Sequence, residues 1–241
     1  MYKRQTLTLG SKHNAFMYFK DGSFLETFDT DLGAFNILAK ILLEIVCLSG
    51  KNYWMKARRY WFNRPEGFVS YSLDSVPTAS FETNIRKIRE NGLDLSNPIE
   101  FPRTRAADGV KLTWHLSFAS NACTLPFFTL CMCDNEPKLP VPEDNLIHIN
   151  GVVGIKEIFV STIQWDSTLK SYKVIYGQEP EIKNKDGWKM CTFKAHTSFV
   201  HLVEGDFDGI DEVVLLGSEN STEGYLDSTL TPHGAKIRIV K

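Results

Sequence analysis

The chain is short of the features that most readily assign a protein. It has no excess of positive charge: its 241 residues carry a formal net charge of -2 and no basic run, which disfavours a nucleic-acid binder. It has no apolar run long enough to span a membrane. The most apolar stretch, residues 34–50, includes Lys40 and Glu44 and falls short of the ~20 residues a spanning helix needs. That stretch reads as a buried helix ended by Gly50. No phosphate-binding glycine loop, zinc-protease motif or serine-hydrolase elbow is present. Cysteines are few and odd in number, five in all. The spacing of Cys131 and Cys133 suits neither a zinc knuckle nor a redox pair. They read as small core residues in a reducing, cytoplasmic compartment, and no secretory leader opens the sequence.

What is present is a composition that can build a core: 43% hydrophobic against 23% charged. Residues 101–118, FPRTRAADGVKLTWHLSF, show how. Val110, Leu112, Trp114, Leu116 and Phe118 alternate with polar residues, the two-residue period of a half-buried strand. Asp108-Gly109 before it is a hairpin turn signal. The preceding strand places Arg103 and Arg105 together, and the reading is that the tryptophan face is core while the arginines aim at a cleft.

This hairpin belongs to a repeat. A strand at 67–74, a helix at about 78–91 closed by Gly92, and strands near 97–105, 110–118 and 126–132 give the order strand, helix, strand, strand, strand. The order returns with a strand at 154–162, a helix closed by Gly177, and the strands KMCTF, SFVHLVE and DEVVLL, followed by AKIRIV. A partial copy, the Asp21-Gly22 hairpin of residues 13–28, opens the chain without the strand and helix expected before it, so the first copy reads as truncated. Residues 134–145 hold three prolines and four acids and read as a linker. The expected division is 1–133 for the incomplete first and complete second copies, 134–147 for the linker, and 148–241 for the third.

A repeated βαβββ module resembles the vicinal oxygen chelate superfamily of glyoxalases and extradiol dioxygenases. Within it, the chain is similar to glyoxalase-like domain proteins. The stretches carrying the likeness are SKHNAFMYFKDGSFLETF, RTRAADGVKLTWHL with TLPFF, and HINGVVGIKEIFV. The resemblance implies an α+β fold of curved mixed sheets around a cleft. It also implies a divalent metal (Fe, Mn, Ni, Co or Zn) held by His and Glu on the first and last strands of paired modules. The expected function is a metal-assisted lyase or dioxygenase acting on a small oxygenated metabolite. The alternative is a metal-free protein of the same fold that binds or sequesters a small molecule. The expected partner is therefore a small molecule, with no nucleic acid, no membrane, and a homodimer as the assembly considered.

Each candidate residue has two readings. Glu26 aligns with the family's strand-end glutamate and is the catalytic candidate; otherwise it is exposed at a broken edge. Glu157 and His201, on neighbouring strands, form half of a metal site, or else a surface carboxylate and a satisfied core histidine. Arg103 and Arg105 suit bidentate contact with a carboxylate or phosphate, or one of them pairs with Asp108 to fix the hairpin. Asn14 and Trp114 complete the substrate-binding candidates. The second copy offers no matching carboxylate or histidine, which argues against a complete site, so the metal site is expected to be incomplete in this chain.

Overall fold

A computed structural model describes residues 14–28, 36–48, 52–64, 67–105, 108–119, 128–133, 140–185, 187–227 and 235–241. Two strands, β1 (Asn14–Tyr18) and β2 (Phe24–Phe28), form the first hairpin. The helices α1 (Asn36–Leu48) and α2 (Tyr53–Asn63) follow. The second module is β3 (Tyr71–Asp74), α3 (Phe81–Glu90), β4 (Ile99–Thr104), β5 (Lys111–Phe118) and β6 (Phe128–Cys133). Its sheet order is β3-β6-β5-β4, with β3 and β6 parallel. The third module is β7 (Val152–Thr162), α4 (Trp165–Tyr176), β8 (Lys183–Lys185), β9 (Trp188–Ala195) and β10 (Ser198–Glu204). Its order is β7-β10-β9-β8, with β7 and β10 parallel. The two modules therefore share one topology, and the repeat is a structural one: an α+β fold of mixed sheets.

The helices form where the apolar spacing demands it. In α3, Phe81, Ile85 and Ile88 recur on one face and are buried, with Glu82 in the first turn and Lys87 and Arg89 in the last, which suits the helix dipole. In α4, Trp165, Leu169 and Tyr172 are buried, and Gly177 ends the helix at φ 60°, a conformation that glycine adopts without strain. The two helices meet in one hydrophobic cluster with Tyr71, Val160, Phe193, Val200 and Leu202. The second and third modules thus pack helix side to helix side. Burial pushes the Cys191 thiol in this cluster up to about 11, so it stays a protonated core residue. Cys131 and Cys133 lie on β6, and their side chains are outside the described residues.

The third copy departs from the expected strand assignment. DEVVLL is not its closing strand. Three residues, Lys183–Lys185, supply an edge strand that carries no apolar alternation and so left no sequence signal. DEVVLL falls in β11 (Gly209–Gly217), which pairs antiparallel with β7 on the other side. Beyond it lie β13 (Lys236–Val240), parallel to β11, and the two-residue β12 (Gly224–Tyr225). The order β13-β11-β7-β10 places a parallel pair on each side of an antiparallel junction. Half a further module is thereby related to the third by a pseudo-two-fold axis between β11 and β7.

Among the described residues the half-module has no helix of its own. The β1–β2 hairpin takes that place: Phe19, 1% exposed, packs with Val213, Leu215, Ile237 and Ile239. The Asp21 carboxylate accepts hydrogen bonds from Ser23 N and Ile155 N, which ties the hairpin to β7. Gly154 makes this possible, because a Cβ there would fall 2.1 Å from the Asp21 carboxylate.

Residues 34–50 were expected to be a buried helix, and this is corrected. Helix α1 buries Leu43 and Cys47 but leaves Ile37, Leu38, Ile41, Leu42, Ile45 and Leu48 between 52% and 83% exposed. An apolar run alone does not tell a core helix from one whose second face is uncovered. Helix α2 is the buried one of the pair. Its Trp54 ring lies 5.0 Å from Phe101 and 5.1 Å from Phe118, against the β4–β5 face.

Candidate functional site

The face of the β13-β11-β7-β10 sheet turned away from α4 and the hairpin carries the charged side chains. Strand alternation fixes this. Ile158, Val160, Val200 and Leu202 point to the helix side, so Glu157, Phe159 and His201 point the other way. Likewise Val213, Ile237 and Ile239 pack under Phe19, so Glu212, Val214 and Arg238 join Glu157 on the opposite face.

The four polar residues obey the pseudo-two-fold. On β7 and β10, His201 stands beside Phe159, two residues past Glu157. On β11 and β13, Arg238 stands beside Val214, two residues past Glu212. Across the axis Glu157 is opposite Val214 and Phe159 opposite Glu212, the reciprocal pairing a two-fold requires. Glu157–His201 and Glu212–Arg238 are therefore equivalent diagonal pairs at the four corners of one site.

The two pairs differ in chemistry. His201 Nδ1 is 2.9 Å from Thr192 Oγ1, and its ring stacks on Phe159 at 4.3 Å. Its buried Nε2 makes no hydrogen bond and lies 3.5 Å from Glu157 Oε2. Burial pushes the imidazole below the usual histidine value, and the Glu157 charge works against that shift. Opposite, Arg238 Nε donates to Glu212 Oε1 at 2.6 Å, and Tyr225 Oη donates weakly to Glu212 Oε2 at 3.4 Å. Glu212, 9% exposed, is the charge that most needs a partner, and this pair raises the already high basicity of Arg238.

The structure brings together two of the sequence-predicted residues, Glu157 and His201. Glu26 sits opposite Phe16 in the hairpin, exposed, on the far side of the sheet from them. Trp114 meets the same hairpin edge-on through Phe24 at 5.6 Å. Asn14 lies opposite Phe28, and Arg103 opposite Leu112; both side chains are outside the described residues. With Phe101 opposite Trp114, the position of Arg103 belongs to the tryptophan face, so the expected split between a tryptophan face and an arginine face does not hold. Arg105 is 3% exposed and spends its donors on the Asp108 carboxylate and on the Pro140 carbonyl at 2.7 Å. It clamps the hairpin to the following segment, and its hydrogen bonds hold the Asp108 carboxyl below the usual range.

Glu212 and Arg238 were missed. Their signal was faint: two charges on strands that otherwise alternate as core, in DEVVLL and AKIRIV. The donor set can now be weighed against a metal. The orphaned Nε2 of His201 beside a carboxylate is what a ligand pair would present. A three-ligand centre needs a third donor, and at the equivalent corners Glu212 is held by a guanidinium that cannot ligate and that repels a cation. Among the described residues no three His, Cys, Asp or Glu side chains are grouped to hold a metal ion. The described residues do not fit a chelated metal.

The paired βαβββ topology defines a protein of the vicinal oxygen chelate superfamily. The glyoxalase-like domain family matches residues 5–175, and the chain belongs to it. Among solved structures, it is similar to a hypothetical protein from Staphylococcus aureus, with TM-score 0.68 and 12% identity over 99% of this chain and 88% of the other. It is also similar to a variant 4-hydroxymandelate synthase from Streptomyces coelicolor, with TM-score 0.52 and 10% identity over 89% of this chain and 61% of the other. These likenesses show the fold. No curated protein matches the chain in sequence. Among the described residues no helix is long and apolar enough to cross a membrane.

Proposed function

We propose that the chain is a glyoxalase-like protein that holds a small oxygenated metabolite against the four-cornered face of β13, β11, β7 and β10, without a chelated metal. The observation that carries this is the Arg238–Glu212 contact of 2.6 Å at the corners equivalent to His201 and Glu157. A guanidinium fixed there by Glu212 supplies the hydrogen-bond donors that an oxygen-rich ligand seeks. Guanidinium is suited to two-point contact with a carboxylate or a pair of oxygens. The neutral imidazole of His201 can accept or donate a proton beside it, and Phe159 offers an apolar wall.

The metal-assisted lyase or dioxygenase is the second reading, and the orphaned His201 Nε2 favours it. One experiment separates the two. Thermal shifts are recorded with a panel of small hydroxy and keto acids, on wild type, Arg238→Lys and Arg238→Met, with bound metal measured on each. The proposal expects ligand stabilisation that falls at least about tenfold in affinity in both variants, metal or no metal. Stabilisation that appears only with a divalent ion and survives Arg238→Met would overturn it in favour of the second reading.

A further inference from the structure

Helix α1 carries a surface that the ligand site does not explain. At 3.6 residues per turn, Ile37, Leu48, Ile41, Ile45, Leu38 and Leu42 fall, in that order, on one continuous arc of about 140°. All six are exposed, and no polar residue interrupts the arc. That is wider than the stripe of about 100° with which a helix joins a core. The opposite face is already used: Leu43 and Cys47 are buried, and Glu44 accepts a hydrogen bond from Arg59 of α2 at 3.0 Å.

We propose that this arc pairs with the same arc of a second copy of the chain, the two α1 helices running antiparallel about a two-fold axis at Leu42. The charges beside the arc select this occupant. On one side of the arc Glu44 lies about 20° beyond Ile37 and Lys40 about 40° further out; both are exposed, and each lies two residues from Leu42. In an antiparallel pair each rim faces the same rim of its partner in reverse, so Lys40 meets the partner copy's Glu44 twice. An isologous interface needs this self-complementarity. A parallel pair would set both charges against the opposite rim, where Ala39 and Val46 lie. A lipid surface is the poorer match. The arc holds no aromatic residue, and its border carries one charge of each sign, whereas helices that lie in a bilayer interface are rimmed by Lys and Arg.

The test is the mass of the full chain in solution across a concentration series, by sedimentation equilibrium. Wild type is expected to be a dimer. Ile45→Lys, in the middle of the arc and 57% exposed, should keep the wild-type near-UV spectrum and melting profile while weakening dimerisation at least roughly tenfold. Lys40→Glu and Glu44→Lys should each weaken it roughly fivefold, and the double variant should recover it. Glu44→Lys also breaks the Arg59 contact, and Lys40 and Glu44 are i,i+4 neighbours on α1, so the loss and its rescue are read in the dimer constant with the monomer's melting profile unchanged. A monomeric wild type, or a dimer unmoved by Ile45→Lys, would overturn the proposal. So would a monomer that co-sediments with phosphatidylcholine–phosphatidylserine vesicles and is released by Ile45→Lys, which would assign the arc to lipid.

Discussion

The second and third modules have one topology and opposite contents. In the third, the strand face turned away from its helix carries Glu157, His201 and Phe159. In the second, the spacing from Gly67 against that from Gly154 puts Ser70 where Glu157 stands. The β3–β6 register puts Thr129 where His201 stands. The same face of the second module is covered by α2, whose Trp54 fills the space beside Phe101 and Phe118. One copy of the scaffold has become a packed core and the other has kept ionisable groups. The topology permits a site, and the residues on one face decide whether it exists.

The largest expected difference between the two lies in packing. Phe193, 0% exposed in the cluster shared by both modules, should cost about 3–5 kcal/mol as Phe193→Ala, read by chemical denaturation. Phe118→Ala, equally buried beneath α2, should cost a similar amount while leaving ligand affinity at the third module unchanged. A lost ligand response in Phe118→Ala would break the separation of roles.

A smaller effect attends the Glu212–Arg238 pair. Arg238→Met leaves Glu212 buried without its cation and should cost about 2 kcal/mol, discounted for the 31% exposure of the arginine side chain. Adding Glu212→Gln should recover most of that loss.

Smaller again is a pH effect confined to the third module. Because burial lowers the His201 value, the unfolded chain binds the proton more readily than the folded one. The His201 contribution is thus fully present above the ordinary histidine value of about 6.5 and is lost as pH falls from there to the lowered folded value. Melting temperatures of wild type and His201→Gln should converge on acidification through that window. The smallest change is expected at Glu26, exposed on the far side of the sheet: Glu26→Ala should alter stability by less than about 0.5 kcal/mol and leave ligand binding untouched.

How much of this was legible follows from range. The repeat was readable because Gly67, Gly92, Gly154 and Gly177 punctuate each copy at nearly the same spacing. Glu157 and His201 were readable because they fall where the glyoxalase-like resemblance places its strand ligands. Glu212 and Arg238 were not, because a cross-strand pair is non-local and a charge on a strand is ordinarily solvated. Lys183–Lys185 pairs as an edge strand through its backbone alone. The uncovered arc of α1 escaped notice because its composition matches that of a core helix, and only the position of α2 shows which face is used.

The most direct measurement is the metal content of the chain purified with Mn, Fe, Co, Ni and Zn ions supplied in turn. Well under one ion per chain is expected in every case, unchanged by His201→Ala. One ion per chain, lost in His201→Ala and in Glu157→Gln, would contradict that expectation and restore the chelate reading.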